Sequence, residues 1–188
     1  FVEIMDDHLV WIDLEMTGLD IDTCTIIEIA TIVTDGELNI IEIGPNLAIN
    51  VDETYIEAMD EWNTKHHHES GLVQRVRESD ESLSSAEQKT LDFLRKHVEE
   101  KKAPLCGNSI WNDRRFLEKF MPKLSDFLHY RMIDVSSVKE ISKRWYPKLP
   151  QYEKKGAHLA LDDIIESIEE LKHFRKTVFI PSDASSES

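Results

Sequence analysis

Two carboxylates lie one residue apart in the segment WIDLEMTGLD (11–20), where the apolar neighbours predict a buried strand. Alternate side chains of a strand point to the same face, about 7 Å apart, so Asp13 and Glu15 would face the same side. Two like charges on a buried face repel each other, and burial penalises their charged forms. The negative charge of the pair therefore has to be compensated, unless the strand is an edge strand with both acids facing water. Such pairs also arise by chance, so more evidence is needed.

Three further residues could act with this pair. Asp113 follows the segment LCGNS and opens a helix, where a carboxylate is stabilised but is also an ordinary first-turn residue. Asp163 lies near the start of the last predicted helix, and the helical wheel does not separate it from Asp162. His158 precedes Asp163 by five residues, which would place the two on different faces of one helix. We therefore expect His158 on the loop before that helix.

The elements that must position these residues follow from the change in hydrophobic period along the chain. Three strands rich in Ile and Val come first, and helices alternate with two shorter strands after residue 52. This order predicts an α/β fold, a mixed β-sheet flanked by α-helices. The predicted strands are 8–16, 25–35, 38–50, 103–109 and 130–135, and the helices 82–98, 112–121, 136–146 and 159–176.

Composition predicts one ordered domain over residues 9–178, with a flexible N-terminal extension (1–8) and a disordered polar tail (179–188). No apolar run approaches the roughly 20 residues of a membrane span. Cys24 and Cys106 are far apart and predict reduced thiols rather than a metal site. The formal charge of −15, from 37 acidic and 22 basic residues, repels polyanions at long range. A nucleic-acid substrate would therefore have to be short.

The acids and the histidine occur in the order Asp13-x-Glu15, Asp113 and His158-x4-Asp163. This pattern resembles the DEDDh family of 3′→5′ exonucleases, whose fold is ribonuclease H-like. Within that family the chain resembles the oligoribonucleases. The resemblance covers the chain from about Leu9 to Arg175 in six ordered segments, namely WIDLEMTGLD, IIEIATIVTD, LNIIEIGPNLAI, CGNS with DRRFL, HYRMIDVSS and HLALDDI.

The resemblance implies a site for two divalent cations, Mg²⁺ or Mn²⁺, held by the four acids. Such ions would neutralise the crowded charge, and they prefer hard oxygen ligands. His158 would be the general base that takes a proton from, or orients, the attacking water. The expected reaction is hydrolysis of very short RNA, of dinucleotide scale, to nucleoside 5′-monophosphates. The resemblance implies a cytoplasmic enzyme, or a mitochondrial one if the source is eukaryotic.

The resemblance also implies how substrate is held. Leu19, Trp62 and His67 would sandwich the terminal bases by stacking, which does not depend on base identity. A cap around the 5′-phosphate would consist of one arginine and three hydroxyl groups, Arg131 with Ser109, Ser136 and Ser137. Tyr130 would reach the site of a neighbouring subunit, which implies a homodimer. Ordinary packing of Trp62 or Tyr130 stays an alternative. We expect no membrane partner and no long duplex nucleic acid.

Two other functions stay open on the sequence alone. The first is a DEDDh exonuclease that trims longer DNA or RNA 3′ ends. The second is a catalytically silent module that uses the same fold to bind protein or nucleic acid. The presence of all five catalytic residue types argues against the second.

Overall fold

The computed structural model describes residues 7–152 and 159–179. Five strands form one mixed sheet in the order β3-β2-β1-β4-β5. β2 (Ile26–Thr34) is antiparallel to both of its neighbours, β1 (Leu9–Met16) and β3 (Ile40–Ala48). β4 (Leu105–Gly107) runs parallel to β1, and β5 (Met132–Asp134) runs parallel to β4. The predicted strands and the α/β class are confirmed. β1 is the central strand, so the edge-strand alternative for its two acids is wrong.

Eight helices are seen in the described part of the chain. Three short ones follow β3 and are separated by single caps and turns: α1 (Glu53–Glu57), α2 (Glu61–Glu69) and α3 (Leu72–Glu78). The longer helices are α4 (Leu83–Leu94), α5 (Trp111–Phe120), α6 (Pro122–Phe127), α7 (Val135–Trp145) and α8 (Ala160–Thr177). Among these residues no helix is both long and apolar enough to cross a bilayer.

The two faces of the sheet pack against different helices because side chains of β1 alternate. Ile12 and Leu14 point into the larger apolar core, which α4, α5 and α6 cover. Trp11 points the other way, into a second core with Ile164 and Ile168 of α8. Asp13 and Glu15 share the face of Trp11, so the sequence of β1 directs both acids towards the beginning of α8.

β3 passes through Gly44 and Pro45, residues that usually end a strand. Proline is tolerated because β3 is an edge strand, which needs no ladder hydrogen bond on its outer side. The register with β2 changes from Ala30↔Asn46 to Ile32↔Ile43, so β3 has one extra residue there, a bulge. A Cβ atom at Gly44 would lie 2.4 Å from the ring of Phe93. Gly44 therefore lets α4 approach the sheet closely.

We expect Gly44→Ala to destabilise the protein by about 1–3 kcal/mol, because the added methyl group overpacks the contact with Phe93. Urea denaturation of wild type, Gly44→Ala, Phe93→Leu and the double variant measures this cost. The loss should shrink in the Phe93→Leu background, where the ring is gone. An equal loss in both backgrounds would place the cause elsewhere.

Candidate active site

Three carboxylates converge at the end of β1. One oxygen each of Asp13, Glu15 and Asp163 lies within 4.8 Å of the others. β1 supplies the first two, and Asp163 comes from the first turns of α8, where its own N–H donates to the Leu159 carbonyl. The structure therefore brings Asp163, and not Asp162, to the pair predicted from the sequence.

Asp113 joins this cluster from the first turn of α5 and is only 6% exposed. Its Oδ1 accepts a hydrogen bond of 3.0 Å from the backbone N–H of Leu14, between the two acids of β1. This contact spans 99 residues of sequence. It fixes the carboxylate of α5 against the backbone of the central strand.

Crowding and burial shift the pKa values of these acids upward. Burial, followed by repulsion from Asp113, Glu15 and Asp163, raises the pKa of Asp13 well above its usual value. Burial and then the nearby Glu28 raise the pKa of Glu15 to about 8. Burial raises the pKa of Asp113 to about 7, although the Leu14 N–H partly offsets the shift. The cluster is thus costly to charge unless positive charge is supplied.

These donors fit a divalent cation. Carboxylate oxygens are the hard ligands that Mg²⁺ and Mn²⁺ prefer. The oxygens of Asp13, Glu15 and Asp163 lie close enough to one another to bind one cation together. A bound cation would also remove the repulsion that raises the pKa values. The acidic cluster of Asp13, Glu15, Asp113 and Asp163 is accordingly a candidate metal centre.

An open cleft of about 250 Å³ adjoins the acids. Leu19 and Trp62 line it and are 63% and 66% exposed, as expected of side chains that contact a ligand. The ring of His66 stacks on Trp62, with 4.5 Å between ring centroids and 12° between planes. One face of Trp62 is therefore covered by His66. His66 was not predicted from the sequence, although its spacing of four residues from Trp62 on a helix is that of neighbouring side chains.

His67 is placed differently from Trp62. It is 1% exposed, and its Nε2 lies 3.0 Å from the carbonyl oxygen of Met16, to which it can donate. Its Nδ1 is 3.9 Å from Glu15, and burial lowers the pKa of the ring. The geometry gives His67 a role in supporting the end of β1. Contact between His67 and a base stays a prediction.

A hydroxyl cluster lies at the carboxyl ends of β4 and β5. Ser109, whose φ of 51° is in the left-handed region, places its hydroxyl 3.2 Å from that of Ser136. The carboxylate of Asp134 accepts the N–H groups of both serines, each at 2.9 Å. The Ser136 hydroxyl donates to Asn108, which lines the cleft with Ser109. Asp134 thus holds the backbone of the two serines and Asn108 holds the Ser136 hydroxyl, and neither residue was predicted.

The other predicted residues lie around this cluster or outside it. Ser137 and Arg131 are exposed, and the Arg131 guanidinium lies 5.3 Å from the ring centroid of Tyr130. Tyr130 is 72% exposed, so it does not pack in its own core. His158 lies outside the described residues, as do residues 1–6 and 180–188 of the predicted extension and tail.

Comparison with known proteins identifies close relatives. The exonuclease family model RNase_T matches residues 10–171. Oligoribonuclease of Hydrogenovibrio crunogenus is 55% identical over 177 residues, covering 94% of this chain and 96% of the relative. Oligoribonuclease of Marinobacter nauticus is 57% identical over 174 residues, covering 92% and 97%.

Solved structures of lower sequence identity share the fold. Exonuclease I of E. coli in complex with a dT13 oligonucleotide superposes with a TM-score of 0.71 at 16% identity, covering 90% of this chain. Exonuclease I of Methylocaldum szegediense gives 0.69 at 15% identity, covering 91%. This chain spans about two fifths of their length, 41% in both cases. The likeness confirms the ribonuclease H-like fold.

We expect Glu15→Gln to stabilise the metal-free protein at high pH. The folded pKa of about 8 lies above the unfolded value near 4.5, so the carboxyl group supports folding below about pH 4.5 and loses that support as the pH rises through 8. The amide lacks this loss, which is at most a few kcal/mol. Urea denaturation in chelator should show the variant more stable than wild type at pH 8.5.

The advantage of Glu15→Gln should become small near pH 4.5, where the wild-type carboxyl group is protonated in the folded state and about half protonated in the unfolded state. Mn²⁺ should reverse the order at pH 8.5, because it stabilises the wild-type cluster. A variant that is less stable than wild type at pH 8.5 in chelator would contradict the electrostatic account.

Proposed function

The chain belongs to the RNase_T exonuclease family and, within it, to the oligoribonucleases, and we propose that it hydrolyses RNA of dinucleotide scale from the 3′ end. The coarser activity, that of a 3′→5′ exoribonuclease, follows from this membership. The observation that carries the finer proposal is the acidic cluster opening into the same cleft as Leu19, Trp62 and Ser109. The products would be nucleoside 5′-monophosphates.

Asp13, Glu15, Asp113 and Asp163 would hold two divalent cations, Mg²⁺ or Mn²⁺. Bound there, the ions supply Lewis-acid chemistry that favours attack of water on phosphorus and departure of the 3′-oxygen. The strand and helix positions of the acids keep their oxygens preorganised. His158 accepts the proton of the attacking water on its imidazole, and the bond between phosphorus and the 3′-oxygen of the preceding nucleotide breaks.

Leu19 and Trp62 would hold the terminal bases. Both are exposed in the cleft, and stacking on an aromatic face contributes roughly 1–3 kcal/mol per base without regard to sequence. Because His66 covers one face of Trp62, a base stacks on the other face. His67 would support the end of β1 beside these two side chains through its contact with the Met16 carbonyl.

The hydroxyl cluster would bind the 5′-phosphate of the shortest substrates. Ser109 and Ser136 offer paired hydroxyls, and Ser137 and Arg131 lie nearby in sequence on the exposed side. Arginine with hydroxyl groups suits a terminal phosphate, which carries more charge than an internal one. A substrate fixed at its 5′ end beside the cluster and cut at the acids must be short.

We further propose a homodimer in which Tyr130 contacts the partner's site. The support is its 72% exposure beside Arg131, close to the proposed phosphate site. Exposed Trp145, Ile141 and Met132 provide apolar surface in the same part of the chain. A cytoplasmic setting is proposed from the free state of Cys24 and Cys106, which suits a reducing compartment.

We expect turnover to fall with substrate length. With Mn²⁺, kcat/KM for a 5′-phosphorylated RNA dinucleotide should exceed that for a 20-mer. The phosphates of the longer strand are repelled by the net charge of −15, and its 5′-phosphate cannot reach the hydroxyl cluster while its 3′ end is at the acids. Rapid-quench assays over lengths 2 to 20 measure this. A preference for the 20-mer would instead support a DEDDh exonuclease for longer ends.

Asp13→Asn serves as the control in that series and should be inactive at every length, which excludes a contaminating nuclease. Asp126→Asn, an exposed acid on α6, should keep wild-type rates.

We expect His158→Asn to lower kcat about 10²–10⁴-fold, the usual contribution of a general base. The variant should bind Mn²⁺ and melt like wild type, and the remaining rate should lose the pH dependence that the imidazole gives. His68→Asn, at an exposed position of α2, is the matched control and should leave kcat unchanged. Wild-type kcat in His158→Asn would remove this residue from the mechanism.

A further inference from the structure

An ion pair between a buried glutamate and a partly exposed arginine lies next to the acidic cluster. Glu28 of β2 is the cross-strand partner of Glu15 of β1 and is 1% exposed. Arg75 reaches it from α3, and its Nη1 donates to Glu28 Oε1 at 2.6 Å. Directly opposed residues of antiparallel strands point to the same face, with Cβ atoms about 4.5–5.5 Å apart. Glu28 is therefore a fifth carboxylate beside the four of the cluster.

Glu28 and Arg75 compensate each other's charge, and few other hydrogen bonds reach their charged groups. Glu28 Oε2 and Arg75 Nη2 are buried and have no hydrogen-bond partner among the described residues. Neither atom is therefore neutralised by an amide or hydroxyl network. As a pair the two residues carry no net charge, whereas either one alone would leave a full charge beside Glu15.

A purely structural role explains this pair poorly. α3 already packs on the sheet through Leu72, Val73 and Val76, which contact Ile27 in an apolar cluster. Burying the Glu28 carboxylate is costly, and ion pairs of this kind often add little to stability over apolar residues. An apolar pair at these positions would attach α3 equally well, but it would not provide opposite charges next to the metal centre.

We propose that Glu28 and Arg75 are positioning residues that set the charge the acidic cluster presents to divalent cations. This inference rests on the proposed metal-dependent function. Arg75 offsets the crowding of five carboxylates, and Glu28 prevents that cation from repelling the metal ions. The pair should therefore act on metal affinity with opposite signs when its members are removed one at a time.

The test is Mn²⁺ binding to chelator-stripped protein, measured by isothermal titration calorimetry at fixed pH and ionic strength. Glu28→Gln leaves the Arg75 charge uncompensated and should weaken Mn²⁺ binding about tenfold. Arg75→Gln should bind Mn²⁺ as tightly as wild type or more tightly. The double variant Glu28→Gln/Arg75→Gln again has no net charge there and should return to within about twofold of wild type. Arg75→Lys, which keeps the charge, should do the same.

Two results would overturn the inference: wild-type affinity in Glu28→Gln, or weakened binding in Arg75→Gln comparable to that in Glu28→Gln. A structural role predicts the second, because both variants break the same contact. Near-UV circular dichroism checks folding. If Glu28→Gln does not fold, the comparison of Mn²⁺ affinity between Arg75→Lys and Arg75→Gln decides the matter. Weaker binding by Arg75→Gln than by Arg75→Lys would contradict the proposal.

The failure of the proposed function is separable from this result. Asp13→Asn should abolish Mn²⁺ binding, which shows that the heat arises at the acidic cluster. If the predicted order of affinities holds but RNA dinucleotides are not cleaved, the substrate proposal fails and the inference stands. If wild type binds no Mn²⁺ at all, both fall.

Discussion

Repulsion among carboxylates on the central strand is the constraint on which the site depends. β1 has a strand on each side, so Asp13 and Glu15 reach water only through the cleft and not along an open sheet edge. The rest of their charge must be relieved by protons, by nearby hydrogen-bond donors or by cations. The Leu14 N–H bound to Asp113 supplies one such donor, but burial still raises the pKa of three acids. Stability of the folded chain and affinity for cations are therefore linked through the same four side chains.

Features that depend on the local hydrophobic period could be predicted from the sequence, whereas features that depend on contacts between distant residues could not. Alternation in β1 and the apolar stripe of α8 are local, so the strands, the fold class and the pair of Asp13 and Glu15 could be found, whereas Asp113 and Asp163 were assigned through the family resemblance. The helical wheel alone did not separate Asp162 from Asp163, because both flank the stripe. The resemblance selected Asp163, and the approach of α8 to β1 brings that residue to the pair. The pairing of Glu28 with Arg75 joins residues 47 apart, and no local pattern reveals it. His66 was missed because Trp62 was considered for stacking without the residue one helical turn after it.

The proposed phosphate site shows how the chain limits its own anion binding. A helix N-terminus normally offers backbone N–H groups to phosphate. At α7 the carboxylate of Asp134 already accepts the N–H of Ser136, and it also accepts that of Ser109. The backbone donors are thus occupied by a negative charge, and the hydroxyls are held by Asn108 and by each other. A phosphate bound there would be recognised by oriented hydroxyls and a single arginine, an arrangement that would favour a terminal phosphate over a generic polyanion.

Charge distribution connects this local arrangement with substrate length. Nonspecific grip on a long strand comes from many cations that displace counterions along the backbone. Here the net charge is −15, and several surface cations are already engaged by acids, including Arg95 with Asp92 and Arg144 with Glu140. Each added phosphate beyond the cleft therefore meets repulsion with little compensating contact. In the proposed function, binding energy would be concentrated at the acidic cluster with its cations, at Leu19 and Trp62, and at the hydroxyls of Ser109 and Ser136. A substrate that spans these three places and nothing more would gain all of it.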